Sequence, residues 1–265
     1  MNQRVSYSVH NSIATVSLNR PKQYNALDAA MFEALIATAK SIRKDKSIRA
    51  VILKGEGPGF SSGLDITAIQ KSPWVIFKLL RKPGKQLTNL VQEAAYCWRK
   101  LPVPVIAVIH GKCFGGGLQI ALGADFRIAS PDAELSILEA KWGLIPDMTG
   151  AVTLPEVLPL DVAKELAMTA KIISGTQAQQ LGLVTKTNTE PMKAAWQLAE
   201  TLSDKSPDAL SAIKTLFNDS WKSSPQDALQ LETQLQRKVL ARWNQIAASS
   251  QAFLDNPLSY RKRSL

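Results

Sequence analysis

The stretch Ile106-Ala107-Val108-Ile109-His110-Gly111-Lys112-Cys113-Phe114-Gly115-Gly116-Gly117-Leu118-Gln119-Ile120-Ala121-Leu122 decides how this chain is read. Its first residues end a near-continuous apolar run from Val103 to Ile109, the pattern of a strand covered on both faces. A glycine-rich turn then opens a helical stretch, Leu118 to Ala124. A helix start leaves backbone N–H groups without intrahelical acceptors and carries the positive end of the helix dipole. Successive glycines there let a ligand reach the main chain with no Cβ in the way. Such a place can hold an anion, or an oxygen that turns negative during a reaction. A tight turn with close helix packing explains the same residues more plainly. A nucleotide phosphate loop fits poorly, because no Gly-Lys-Ser/Thr ending follows and no Gly-x-Gly-x-x-Gly lies behind the first strand.

Outward from this stretch, strands and helices alternate. Val5 to Val9 and Ile13 to Leu18 alternate apolar and polar residues around Asn11-Ser12, which predicts a hairpin. Asp28 is placed to cap a helix with Met31, Leu35, Ile36 and Ala39 on one face. Ala50 to Leu53 reads as a buried strand running into the breaker-rich loop Gly55-Glu56-Gly57-Pro58-Gly59. Residues 68–85 carry mixed aromatic and basic residues broken by prolines, and are expected to be a mobile, substrate-facing segment. Leu87 to Lys100 reads as a helix and Phe126 to Ala129 as another buried strand. From Asp161 to Gln251 the pattern is mostly helical. The expectation is an α/β core over residues 1–195 and a helical C-terminal region over 196–265.

The chain has 265 residues, 45% of them hydrophobic and 20% charged, enough for a large core. No apolar run approaches the ~18 residues of a membrane span. The first residues lack the apolar core of a signal peptide, and Arg263-Ser264-Leu265 is not the Ser-Lys-Leu peroxisomal address. Two cysteines, Cys97 and Cys113, make no disulfide framework, so a cytoplasmic setting is expected. The net charge of +10 fits a polyanionic partner such as nucleic acid or a phosphorylated cofactor, and equally an ordinary basic surface. Nucleic acid is disfavoured, because no basic-aromatic strip of the kind single-strand binders use is present. No His/Cys/Asp/Glu cluster has metal-ligand spacing.

A second segment, Gly59-Phe60-Ser61-Ser62-Gly63-Leu64-Asp65-Ile66, also follows a strand and a glycine-rich loop. With Asn19-Arg20-Pro21, Asn25-Ala26-Leu27, Phe114-Gly115-Gly116-Gly117, Ala124-Asp125-Phe126-Arg127, Gly143-Leu144-Ile145-Pro146-Asp147 and Leu181-Gly182-Leu183-Val184, it makes an ordered series. The series resembles the enoyl-CoA hydratase/isomerase (crotonase) superfamily over about residues 5–190. The resemblance implies a spiral of ββα turns with a helical C-terminal region for oligomerisation and pocket closure, assembled as a homotrimer or a dimer of trimers. It implies an acyl-CoA substrate and no separate cofactor, since CoA enters as part of the thioester. By position, the backbone amides of Leu64 and Gly116 form an oxyanion hole. Ala26, Ser62, Gly63, Leu64, Asp65, Ile66, Gly115 and Gly116 lie along the CoA thioester.

The chemistry explains why such groups are needed. Taking a proton from beside a thioester carbonyl puts negative charge on the carbonyl oxygen. Preorganised amides aimed at that oxygen contribute roughly 3–4 kcal/mol per donor, and a base must reach the carbon-bound proton. Glu139, in Ile137-Leu138-Glu139-Ala140, is a carboxylate in apolar surroundings; the plain alternative is a charge at a strand end. Asp147 follows Ile145-Pro146 and could equally cap a helix beginning near Gly150. In hydratases of the resembled family two glutamates share the work; one corresponds to Glu139 and the other to position 119, where this chain has Gln119. A glutamine can orient a water but cannot act as a base. Asp147 matches a catalytic carboxylate of the dienoyl-CoA isomerases. The expectation is double-bond isomerisation with Glu139 as base, Asp147 as a second proton carrier and Gln119 beside them. The alternatives are hydration, a binder of CoA thioesters or RNA without catalysis, and another reaction on the same oxyanion chemistry such as thioester hydrolysis, decarboxylation or C–C cleavage. His110, Cys113 and Trp142 are given structural or pocket-wall readings.

Overall fold

The computed structural model describes residues 4–67, 77, 79–82, 84 and 86–265. Most of the expected segment 68–85 lies outside these.

Strands β1 (Val5–His10) and β2 (Ile13–Leu18) form the hairpin. Its two turn residues, Asn11 and Ser12, both have positive φ (48° and 63°), which matches the right-handed twist of the flanking strands. Helix α1 (Ala29–Lys44) begins where Asp28 accepts a hydrogen bond from Met31 N. β3 (Ala50–Gly55), α2 (Leu90–Arg99) and β4 (Val105–Ile109) follow. α2 starts three residues later than the expected Leu87. Asn89 and Gln92 bond each other's backbone as a capping box and set that start.

β5 (Lys112–Phe114), α3 (Gly116–Leu122), β6 (Phe126–Ala129) and β7 (Glu134–Ser136) complete the central part. A 3-10 turn over Glu139–Trp142 leads to α4 (Gly150–Val157) and α5 (Leu160–Thr169). Then come β8 (Ile173–Ser174), α6 (Gly175–Leu181), β9 (Lys186–Thr187) and α7 (Pro191–Ser203). The C-terminal helices are α8 (Pro207–Ser220), α9 (Pro225–Val239) and α10 (Trp243–Phe253).

The main sheet has the order β1-β2-β3-β4-β6-β9, parallel from β2 onward. Both its faces are covered, which explains the unbroken apolar runs. Val105, Ala107 and Ile109 of β4 join the larger core with α1, α2 and α3; Ile106 and Val108 join a second core with Ala194, Ala195 and Ala199 of α7. Each fully buried Val or Ile contributes about 1.5–3 kcal/mol. The expected division at residue 195 falls inside α7, whose small residues pack on the sheet.

After most strands of the main sheet the chain steps into a second layer before its helix. There β5, β7 and β8 form a small sheet, and parallel bridges Ser61↔Cys113 and Leu27↔Leu64 extend the layer. This is a spiral of ββα turns. Its second layer brings residues 61–66, 112–116 and 134–139 side by side.

Candidate active site

A cavity of about 280 Å³ opens where these three segments meet. Its inner wall is backbone from Gly63, Leu64, Gly115 and Gly116, with Glu139 beside it. Leu79, Val91, Leu138 and Met148 make it apolar, and Leu80, Trp142, Leu144, Ile145 and Asp147 surround the mouth.

Leu64 presents its amide because of how the second layer pairs. Leu27 N donates to Gly63 O and Asp65 N donates to Leu27 O, at 2.8 and 2.9 Å. In a parallel bridge the flanking residues make these bonds, so Leu64's own N–H turns to the opposite side. That side meets α3. A Cβ on Gly63 would stand 2.7 Å from Phe114 O and 3.6 Å from Gly116 N, and Gly63 has φ +87°. Only glycine fits there, and its fit lets the Leu64 segment close against the start of α3.

Gly116 is the first residue of α3, so its N–H has no helical acceptor. A Cβ on it would lie 2.7 Å from Met148 Sδ and 3.1 Å from Leu27 Cδ1. The structure thus brings the two expected amide donors together on one wall.

Glu139 is 8% exposed. Its Oε1 accepts from Gln119 Nε2 at 2.5 Å, while its Oε2 is buried without a hydrogen-bond partner among the described residues. Burial pushes the Glu139 carboxyl above its usual range and the charge of Asp147 adds to this, against the pull of nearby backbone amides and Gln119. A buried oxygen left unpaired costs about 1–3 kcal/mol, which fits a group awaiting a ligand or a proton.

Gln119 does not line the cavity. It is 2% exposed and sits behind Glu139, where its Oε1 accepts from Met148 N and Gly150 N, both at 2.9 Å. Its amide is therefore engaged on both ends. Asp147 does not cap α4; the cap residue is Thr149, with φ 78° and no capping side-chain bond, and Gln119 reaches across to satisfy Gly150 N instead. Asp147 lies exposed at the mouth, and partial burial against the apolar wall raises its carboxyl above the usual range.

The remaining expected residues divide. Ser62 and Ile66 line the cavity; Ala26 and Asp65 do not. Arg20 holds these two, donating to Ala26 O at 2.6 Å and Asp65 at 3.0 Å. Asn25, fully buried, donates to Glu56 O and Gly59 O and accepts from Arg20 N. So Arg20 and Asn25 fasten the 62–66 segment from behind. Both stand in the quoted motifs, whose pattern does not reveal this task. Met148 was missed altogether, and nothing local in the sequence marks it. Trp142 lines the cavity at its mouth, 54% exposed. His110 bonds Gly57 O, and burial pushes the Cys113 thiol up, away from a reactive thiolate.

Known proteins resemble this chain over most of its length. Residues 8–257 match the enoyl-CoA hydratase/isomerase family. An enoyl-CoA hydratase, EchA19, of Mycobacterium tuberculosis is 31% identical, covering 84% of this chain and 84% of its own length. A carnitinyl-CoA dehydratase of Escherichia coli K12 is 29% identical, covering 99% and 97%. The crystal structure of an enoyl-CoA hydratase from Bacillus anthracis superposes with a TM-score of 0.90 at 27% identity, covering 97% of this chain and 99% of that one. With its ββα spiral and this cavity, the chain belongs to the enoyl-CoA hydratase/isomerase family and is an acyl-CoA-processing enzyme of it.

Proposed function

We propose that the enzyme moves a double bond along an enoyl- or dienoyl-CoA thioester, with Glu139 as the base. One observation carries this reading: a buried carboxylate, with one oxygen that has no hydrogen-bond partner among the described residues, lines the same cavity as the backbone of Leu64 and Gly116. The thioester oxygen would sit between Leu64 N–H and Gly116 N–H. Glu139 Oε2 would take the proton from the carbon next to the carbonyl. The electron pair moves into the thioester as an enolate conjugated with the 3,4 double bond. Return of a proton to the fourth carbon, from Glu139 or from Asp147, leaves the double bond at the 2,3 position. The residues Ser62 to Ile66 and the loop through Ala26 would follow the CoA moiety, and the reaction needs no resident cofactor.

Hydration or dehydration is the second reading, because the named relatives are hydratases and a dehydratase. It would need a group to orient the attacking water. Gln119 could do so only by giving up bonds it already makes. A homotrimer or pair of trimers remains our expectation for the assembly. Support comes from large apolar side chains left exposed on α4, α5 and the turn after them, namely Val152, Leu160, Met168 and Ile172.

The test is a panel of 2-enoyl-, 3-enoyl- and dienoyl-CoA thioesters with product analysis. Isomers should form from the 3-enoyl or dienoyl members. Rapid hydration of 2-enoyl-CoA with no isomer from any substrate would overturn the proposal.

A further inference from the structure

We infer that Gln119 is a positioning residue that dictates which oxygen of Glu139 carries the catalytic proton, and that it ties the base to the oxyanion wall. The inference rests on the reading of Glu139 as base.

The orientation of the Gln119 amide follows from its neighbours. Two backbone N–H groups, of Met148 and Gly150, converge on one of its terminal atoms. Two donors require an acceptor, so that atom is the carbonyl oxygen and the NH₂ faces Glu139. The opposite orientation would set NH₂ against two N–H groups and an oxygen against a carboxylate. With the NH₂ donating to Glu139 Oε1, Oε1 must present a lone pair in both protonation states. A proton on Oε1 would make it the weaker acceptor for the Gln119 N–H. Neutral Glu139 therefore carries its proton on Oε2. Glu139 lines the cavity and Gln119 does not; Oε2, buried and without a hydrogen-bond partner among the described residues, is the oxygen left to exchange a proton with a bound substrate.

The same Gln119 oxygen holds the start of α4. Met148, whose N–H it accepts, has its sulfur against Gly116. One amide thus links the proton carrier, the turn bearing Asp147 and the residue behind an oxyanion donor. An acid at position 119 would break this arrangement. It could still accept from Met148 and Gly150, but its other oxygen would meet Glu139 Oε1, and two carboxyls at that distance share a proton.

The experiment follows the α-proton exchange of hexanoyl-CoA in D2O against pH for wild type, Gln119→Glu, Gln119→Met and Glu139→Gln. Gln119→Glu should move the acid limb of kcat/KM upward by about one unit or more and lower kcat with little change in KM. Gln119→Met, which removes the donor, should move the limb in the same direction by less. Both Gln119 variants folded with an unmoved acid limb would overturn the inference, since a purely structural role predicts loss of activity without that shift. If Gln119→Met fails to fold, Gln119→Glu, equal in length, decides alone. Exchange by Glu139→Gln at the wild-type rate would instead overturn the base assignment beneath it.

Discussion

The inner wall and the mouth of the cavity each carry one carboxylate, and the two are held differently. Glu139 is buried, fastened on one oxygen by Gln119 and without a hydrogen-bond partner among the described residues on the other. Asp147 is exposed, on a rim where Ile145 is 74% and Trp142 54% exposed. On the inner wall each part holds another. Gln119 holds Glu139 and Met148, Met148 backs Gly116, and Gly63 fits against Phe114 and Gly116. The mouth has no such interlock among the contacts described. Identical chemical groups in unequal environments take unequal roles. On the proposed reading the inner carboxylate transfers a proton at a fixed point and the outer one has a dispensable or assisting part.

The contrast can be broken by substitution. Glu139→Gln should lower turnover of a 3-enoyl-CoA by about 10²–10⁴-fold, read as initial rate. Gly63→Ala comes next. Its Cβ meets backbone at Phe114 O and its φ is unfavourable, so Leu64 must shift away from Gly116. The loss of one aimed donor should lower kcat about 10²–10³-fold, with thermal melting showing that the fold persists. Asp147→Asn should cost less than about tenfold, well under the range of a committed general acid or base. A loss equal to that of Glu139→Gln would erase the distinction between wall and mouth.

The smallest expected effect is on stability, and its sign is opposite to that on activity. Burial raises the Glu139 pKa above its ordinary 4.5. A raised carboxyl favours the neutral folded form, so stability is greatest below the unfolded pKa and declines as pH rises through the folded one. Glu139→Gln removes the buried charge. It should raise Tm at pH 7, and the gain should vanish below about pH 4.5. Calorimetry at the two pH values checks this; a gain present only in acid would contradict it.

Much of this could be seen in the residue pattern because the signals are local. Val105 to Ile109, Asn11-Ser12, Asp28 and the glycines before Leu118 each announce their structure within a few residues, and the motif series carried the family. The second layer could not be seen that way. β5, β7 and β8 have two or three residues each, too short to show a period of two. The reach of Gln119 to Gly150 spans 31 residues and leaves no trace in local composition. Asp147 looked like a helix cap because its position suits one, while the actual bond came from another helix. The Asn89–Gln92 capping box, rather than Leu87, sets the start of α2.

The central claim is that Glu139, held by Gln119 beside two backbone donors, generates a thioester enolate. The most direct test is exchange of the α-protons of hexanoyl-CoA in D2O, followed by mass spectrometry for wild type, Glu139→Gln and Asp147→Asn. The account predicts exchange by wild type, near-complete loss in Glu139→Gln, and a rate close to wild type in Asp147→Asn. Exchange by Glu139→Gln as fast as by wild type would contradict it.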